Sequence, residues 1–121
     1  MWIFTKYGFF SAVCEHNANG DIDASKMLVR SRDRRHLENL RTKFNLEYAI
    51  RDNEGTDYAY RMTLPKATWV QVVSELAAEQ EYTNFKDEAA KNMQQTSKRY
   101  VRALHDVWSV MVETQNRARA K

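Results

Sequence analysis

Residues 2–16 read WIFTKYGFFSAVCEH, and both alternating sets of positions in this run are apolar. Trp2 and Phe4 share parity with Phe10, Ala12 and Cys14, while Ile3, Tyr7, Phe9 and Val13 make up the other set. At about 3.3 Å per residue, a single straight strand of that length would span roughly 50 Å, too long for a small domain. Gly8 interrupts the run, and a glycine inside a strand pattern marks a bulge or a bend. A strand that is apolar on both sides belongs inside a sheet, with partners on either hand. The expectation is an interior β-strand, shielded on both faces, on which the other strands assemble.

The totals agree with one domain spanning residues 1–121. A chain of 121 residues, 43% hydrophobic and 29% charged, can bury about two-thirds of its unfolded surface without a metal or a disulfide. Cys14 is the single cysteine, which excludes an internal disulfide and a multi-cysteine zinc site. Thr5, Lys6 and Tyr7 break the opening apolar run, and no stretch approaches the roughly eighteen apolar residues of a membrane span. A soluble protein of the reducing cytoplasm is expected. The formal charge of +3 permits an anionic partner without requiring one.

From His16 the chain turns polar, HNANGDIDAS over 16–25, with Asn19-Gly20 as the turn core. Lys26–Ser31 reads as a second strand. Asp33 can cap the helix that follows, on which Leu37, Leu40 and Phe44 form one apolar stripe. Glu47–Arg51 and Tyr58–Leu64 read as two more strands, linked through residues 52–57, where Gly55 suits a positive φ. Pro65 is placed for the first turn of a helix carrying Trp69, Val72, Val73 and Leu76. Thr83 or Asn84 can cap a short helix through Lys91. A long helix from about Ser97 to Gln115 closes the chain, with Val101, Leu104, Trp108, Met111 and Val112 at 3–4 spacing. Two hairpins separated by a helix predict an α+β fold: a four-stranded, mainly antiparallel sheet with helices on one face, ferredoxin-like in layering, plus a C-terminal helical extension.

The densest basic stretch is Arg30-Ser-Arg-Asp-Arg-Arg-His36. Arginine forks match phosphate oxygens, and a helix N-terminus favours anions, so Arg30, Arg32, Arg34 and Arg35 are candidate phosphate contacts. A solvated basic face, partly neutralised by Asp33 and Glu38, is the plainer alternative. Tyr58 and Tyr60 alternate with Ala59 and Arg61, which would set both rings on one sheet face. Rings beside arginines stack single-stranded bases in several RNA-binding sheets, although tyrosine in a strand is also ordinary packing. Lys6, Tyr58, Tyr60 and Arg61 are the candidate sheet-side contacts. Asp57 could orient a ligand hydroxyl or arginine, or cap a turn.

His16, His36 and His105 lack the spacing of a metal site, and His105-Asp106 lacks a nucleophile motif. P-loop, GxGxxG, GxSxG and HExxH motifs do not occur in the chain. No metal, cofactor or catalytic residue is expected.

Three stretches occur together: the opening MWIFTKYGFFS, GTDYAYR at 55–61 and LHDVWSVM at 104–111. In that order and over the whole chain they resemble an uncharacterised family of small bacterial proteins. The resemblance implies a complete single domain and a bacterial cytosolic protein, and it transfers no functional residue. The residues themselves point to a non-enzymatic domain that binds a phosphate-bearing ligand, RNA or a nucleotide. The alternative is a structural or regulatory protein that assembles, with itself or a partner, through its C-terminal helix. A small enzyme using His105 or His36 with Asp57 is a third reading, and it requires two of those side chains to share one cavity.

Overall fold

A computed structural model describes residues 1–52, 56–93 and 98–120. The chain divides into two compact units, Met1–Glu81 and Tyr82–Lys121. In the first unit the elements run β1 (Trp2–Thr5), β2 (Gly8–His16), β3 (Ile22–Ser31), α1 (Arg34–Phe44), β4 (Arg51–Asp52), β5 (Tyr60–Pro65) and α2 (Lys66–Ala78). The strands form one five-stranded antiparallel sheet in the order β1-β2-β3-β5-β4. Strand β2 is interior, as expected, with β1 and β3 on its two sides, but it is not shielded alike on both faces: Phe10 and Ala12 are buried under the helices, whereas Phe9 and Val13 on the other face are half-buried.

The fifth strand comes from the opening run, which is a tight hairpin and not one bent strand. Lys6 and Tyr7 form the turn, and the Thr5 hydroxyl organises it. Its oxygen accepts from the backbone N–H groups of Tyr7 (3.0 Å) and Gly8 (3.1 Å), and it donates to the Gly8 carbonyl at 2.9 Å. Gly8 sits at φ +144°, a backbone state that side chains resist. The pairing Phe4↔Phe9, Ile3↔Phe10 and Trp2↔Ser11 sets even-numbered residues opposite odd ones. Parity therefore flips across the turn. Trp2 and Phe4 share a face with Phe9 and Ser11, where the uninterrupted alternation grouped them with Phe10.

Other boundaries also move. Strand β3 starts at Ile22, four residues before the predicted Lys26. Of the predicted strand 47–51, only Arg51 joins a ladder; Leu46, Tyr48 and Ile50 instead pack against the core from an unpaired stretch. Strand β5 starts at Tyr60, so Tyr58 lies before it. Pro65 ends β5 and occupies the cap position of α2, one residue ahead of the predicted first turn. Gly55 lies outside the described residues.

Helices α1 and α2 cover one face of the sheet. Phe10, Ala12, Met27, Val29, Met62 and Leu64 rise from the strands to meet Leu37 and Leu40 of α1 and Trp69, Val72 and Leu76 of α2. Phe10, Val29, Leu37, Leu40 and Met62 are fully buried, and each such side chain contributes about 1.5–3 kcal/mol of hydrophobic stabilisation. The Asp33 carboxylate caps α1 by accepting from the Arg35 N–H at 2.9 Å, and Asn45 closes the helix in the left-handed region (φ 52°, ψ 49°).

The second unit holds α3 (Phe85–Met93) and α4 (Lys98–Arg119), which pack together. Asn84 caps α3, its Oδ1 accepting from the Asp87 N–H at 3.1 Å. The predicted Ser97 start of α4 lies outside the described residues. Ala89, Met93, Tyr100 and Leu104 are buried. Trp108 and Met111 are not: they are 55% and 60% exposed. No helix among the described residues is long and apolar enough to cross a membrane.

Candidate functional site

The register brings a set of arginines together on the sheet face opposite α1 and α2. Ser11 pairs with Arg30, Arg30 with Arg61, and Arg61 with Arg51, and directly paired residues share a face. The side-chain bonds follow that row. Arg30 donates from Nη2 to the Ser11 hydroxyl at 2.8 Å. Arg51 donates from Nη2 to Thr63 Oγ1 at 3.0 Å, and that hydroxyl donates to Glu15 Oε2 at 3.1 Å. Arg32, just past the end of β3, donates from Nη1 to the Asp57 carbonyl at 2.5 Å.

Tyr58 is the hub of this group. The Arg30 and Arg32 guanidinium carbons stand 4.5 and 4.2 Å from its ring centroid, a distance at which the ring quadrupole attracts a cation. Tyr58 as a whole is 3% exposed, so the arginines cover a face that the sequence reading offered to a base.

Among the described residues, no carboxylate lies within ion-pairing distance of Arg30, Arg32, Arg51 or Arg61. The Nε atoms of Arg30 and Arg61 are buried, and no acceptor among those residues reaches them. Like charges gathered on one face repel one another, more strongly where they are partly buried than in water. Such a cluster is suited to an anion that accepts from several guanidinium forks at once.

The remaining candidates lie elsewhere. Arg34 is bound to Glu38 (3.0 Å) and Asp52 (3.1 Å), and Arg35 to Asp33 (2.9 Å). These bonds with Asp33 raise the Arg35 pKa. Burial alone would raise the Asp33 pKa, but its bonds from Arg35 outweigh burial and hold it below the usual carboxylate value. Lys6 stands at the hairpin turn, 3.8 Å from Glu79, which also pairs with Lys43 at 3.3 Å and accepts from the Tyr7 hydroxyl at 3.2 Å. That cluster fastens the turn to the end of α2. The hydrogen bond with Glu79 leads the causes raising the Lys43 pKa, and burial leads those raising that of Tyr7. Tyr60 packs on the helix side of the sheet. Of the eight sequence candidates, the structure therefore unites Arg30, Arg32, Arg61 and Tyr58. It leaves Lys6, Arg34, Arg35 and Tyr60 outside, because strand register and helix rotation decide which face each one takes.

Sequence reasoning missed Arg51 and Ser11, whose place in the row depends on cross-strand pairing. It also missed the exposed rings on the same face. Phe4 stacks on Phe9, with centroids 4.6 Å apart and planes 25° apart, and Trp2 meets Phe9 edge-on at 6.0 Å. The odd register of the hairpin would have revealed them.

His36 is buried against the hairpin. Its Nδ1 accepts from the Phe9 N–H at 3.2 Å, which requires the proton on Nε2, and Nε2 lies 4.0 Å from the Asp33 carboxylate. Burial pushes its pKa below the ordinary histidine value, against the upward pull of Asp33. This is a structural arrangement. Asp57 is exposed beside Arg32, and His105 is exposed on α4. Among the described residues no cluster of three or more His, Cys, Asp or Glu is arranged to hold a metal. In comparisons with known proteins, no family model, no curated protein and no solved structure matches the chain.

Proposed function

We propose that this protein is a non-enzymatic binding domain that recognises a phosphate-bearing ligand on the arginine face of its sheet. One observation carries the reading: Arg30, Arg61 and Arg51 are successive neighbours in register, Arg32 adjoins them across Tyr58, and none has a carboxylate partner among the described residues. Arg34 and Arg35, which looked equivalent in sequence, already have such partners and serve as the control. A single cysteine and the resemblance to small bacterial proteins support a reducing, cytoplasmic setting.

Calorimetric titration with ATP at low salt tests this directly. The exposed pair Arg32→Ala/Arg51→Ala, which spares the buried Nε atoms, should weaken ATP binding about 10- to 100-fold and flatten its salt dependence. Arg34→Ala/Arg35→Ala should change it less than threefold. If neither ATP nor a single-stranded oligonucleotide binds at low salt, or if the second pair weakens binding as much as the first, the reading fails.

A second reading rests on α4. Val101, Leu104, Trp108 and Met111 recur at 3–4 spacing along one helix face, and Trp108 and Met111 are largely exposed. Leu104 is already buried, and pairing with a second copy would bury the Trp108 and Met111 end of the stripe, as in a two-helix seam. Sedimentation velocity distinguishes the cases. This reading expects a dimer that Met111→Glu dissociates, and a monomer at high concentration removes it.

A further inference from the structure

We infer that the arginine face binds single-stranded nucleic acid, with bases stacked on the Trp2–Phe4–Phe9 rings and the backbone running toward Arg51. The inference rests on the phosphate-binding reading above and adds the class of ligand. The rings and the guanidinium groups occupy one face because Trp2 pairs with Ser11, which pairs with Arg30, and so on through Arg61 to Arg51. That row crosses all five strands. With neighbouring strands about 4.8 Å apart, it is roughly 19 Å long. A stacked strand carries one phosphate about every 3.4 Å, so the row matches about five nucleotides and exceeds any mononucleotide.

The two ends differ in chemistry as such a ligand requires. At the β1 end, Trp2 is 70% and Phe4 37% exposed, and Phe9, half-buried, holds Phe4 in a stacked pair. Exposed rings of this kind take the π-face of a base, which a duplex keeps inside its own stack. At the other end, Arg32 and Arg51 are exposed and Arg30 and Arg61 half-buried. Between them, the Ser11 hydroxyl is already engaged by Arg30. Stacking on rings and charge pairing with phosphates are both indifferent to base identity, so recognition is sequence-tolerant. Neither contact reads the sugar, so RNA and DNA strands share the chemistry.

Tryptophan fluorescence of the full chain tests this. Trp69 is buried, and Trp108→Phe removes the other exposed indole, leaving Trp2 as the reporter. Titrants at low salt are twelve-residue oligo(rU) and oligo(dT), a twelve-pair duplex, AMP and ATP. Both single strands should quench Trp2 and bind at least tenfold more tightly than ATP, AMP or the duplex. In the chain retaining Trp108, Trp2→Ala and Phe4→Ser should each weaken oligonucleotide binding about tenfold or more, read by polarisation of a labelled strand. Arg34→Ala/Arg35→Ala, at arginines already paired with carboxylates, should leave oligonucleotide affinity within threefold of the parent. The Trp2 and Phe4 side chains are exposed, so thermal melts should confirm intact folding. Preference for one sugar narrows the ligand and sustains the inference. Oligonucleotides that bind no better than ATP, a duplex that binds as tightly, or ring variants without effect overturn it while the phosphate reading stands. Failure of ATP and oligonucleotides alike removes both.

Discussion

Replacing Gly8 with alanine should come close to unfolding the first unit. A Cβ built at Gly8 would fall 2.5 Å from the His36 Cβ and 2.7 Å from its Nδ1, and it would press still closer on the ring carbon between them. The backbone there has φ +144°, and holding an L-residue in such a state costs about 1–3 kcal/mol. Forcing a methyl into occupied space costs about 1–3 kcal/mol more. If the imidazole swings aside, the Phe9 N–H loses its acceptor, a further penalty of about 1–3 kcal/mol for a buried donor. The terms overlap, so a total of about 3–6 kcal/mol is expected, against a stability of about 5–15 kcal/mol for a domain of ordinary size. Urea denaturation followed by circular dichroism reads this as a fall of about 2 M in the midpoint with an unchanged slope. A double-mutant cycle separates the contributions. His36→Ala vacates the volume the methyl needs, so Gly8→Ala/His36→Ala should be about 2 kcal/mol more stable than the sum of the single effects. A Gly8→Ala midpoint within 0.3 M of the parent (about the reproducibility of such midpoints), or strict additivity, would refute the reasoning.

Stability should also respond to pH through the same histidine. His36 has a folded pKa below its ordinary 6.5 because burial outweighs the Asp33 carboxylate, while the neighbouring Arg35 also lowers it. The unfolded chain therefore binds the extra proton more readily. Stability is full above about pH 6.5 and is lost as pH falls from there through the lower folded value. Thermal melts between pH 8 and 5 should show the decline, and His36→Gln should flatten it. Phe10→Ala, at a fully buried position, should cost about 3–5 kcal/mol, whereas Phe4→Ser, on the opposite face of the hairpin, should cost less than about 1 kcal/mol by urea titration. Asp33→Ala, which removes the α1 cap, should cost about 0.5–2 kcal/mol and lower the melting temperature by several degrees.

Helices and core were legible because their signals are local. The Leu37–Leu40 stripe, the Asp33 cap and the Trp69–Val72–Leu76 stripe each lie within one or two turns of chain, and each is where the spacing predicted. The interior place of β2 was legible for the same reason. The hairpin was not. Thr5-Lys-Tyr-Gly8 lacks the Asn-Gly or Asp-Gly pair that announces a two-residue turn, and the Thr5 hydroxyl supplies the organising bonds instead. Missing that turn reversed the facing of Trp2 and Phe4, and with it the reading of which rings could meet a ligand. The tyrosine pair failed differently. Alternation sets Tyr58 and Tyr60 on one face only if the strand begins at Tyr58, and it begins at Tyr60.

The basic run shows why composition alone misplaced half of the candidate site. The net charge of +3 does not say where the cations lie: residues 1–81 carry 11 Lys and Arg against 12 Asp and Glu, and on α1 Arg34 and Arg35 each find a carboxylate on their own helix, at its cap or on β4. Helical arginines have neighbours three and four residues away, so a sequence that alternates charge sign neutralises them locally. Arginines on a sheet have neighbours across the ladder, and there Arg30 meets Arg61, which meets Arg51. Antiparallel pairing of like charges is unfavourable, and the Tyr58 ring and the Ser11 and Thr63 hydroxyls offset only part of it. The guanidinium groups of Arg30, Arg32, Arg51 and Arg61, without a carboxylate partner among the described residues, thus share the face that no helix of the unit covers. An anion bound to that face would meet guanidinium groups already assembled by the fold, with little ordering left to do.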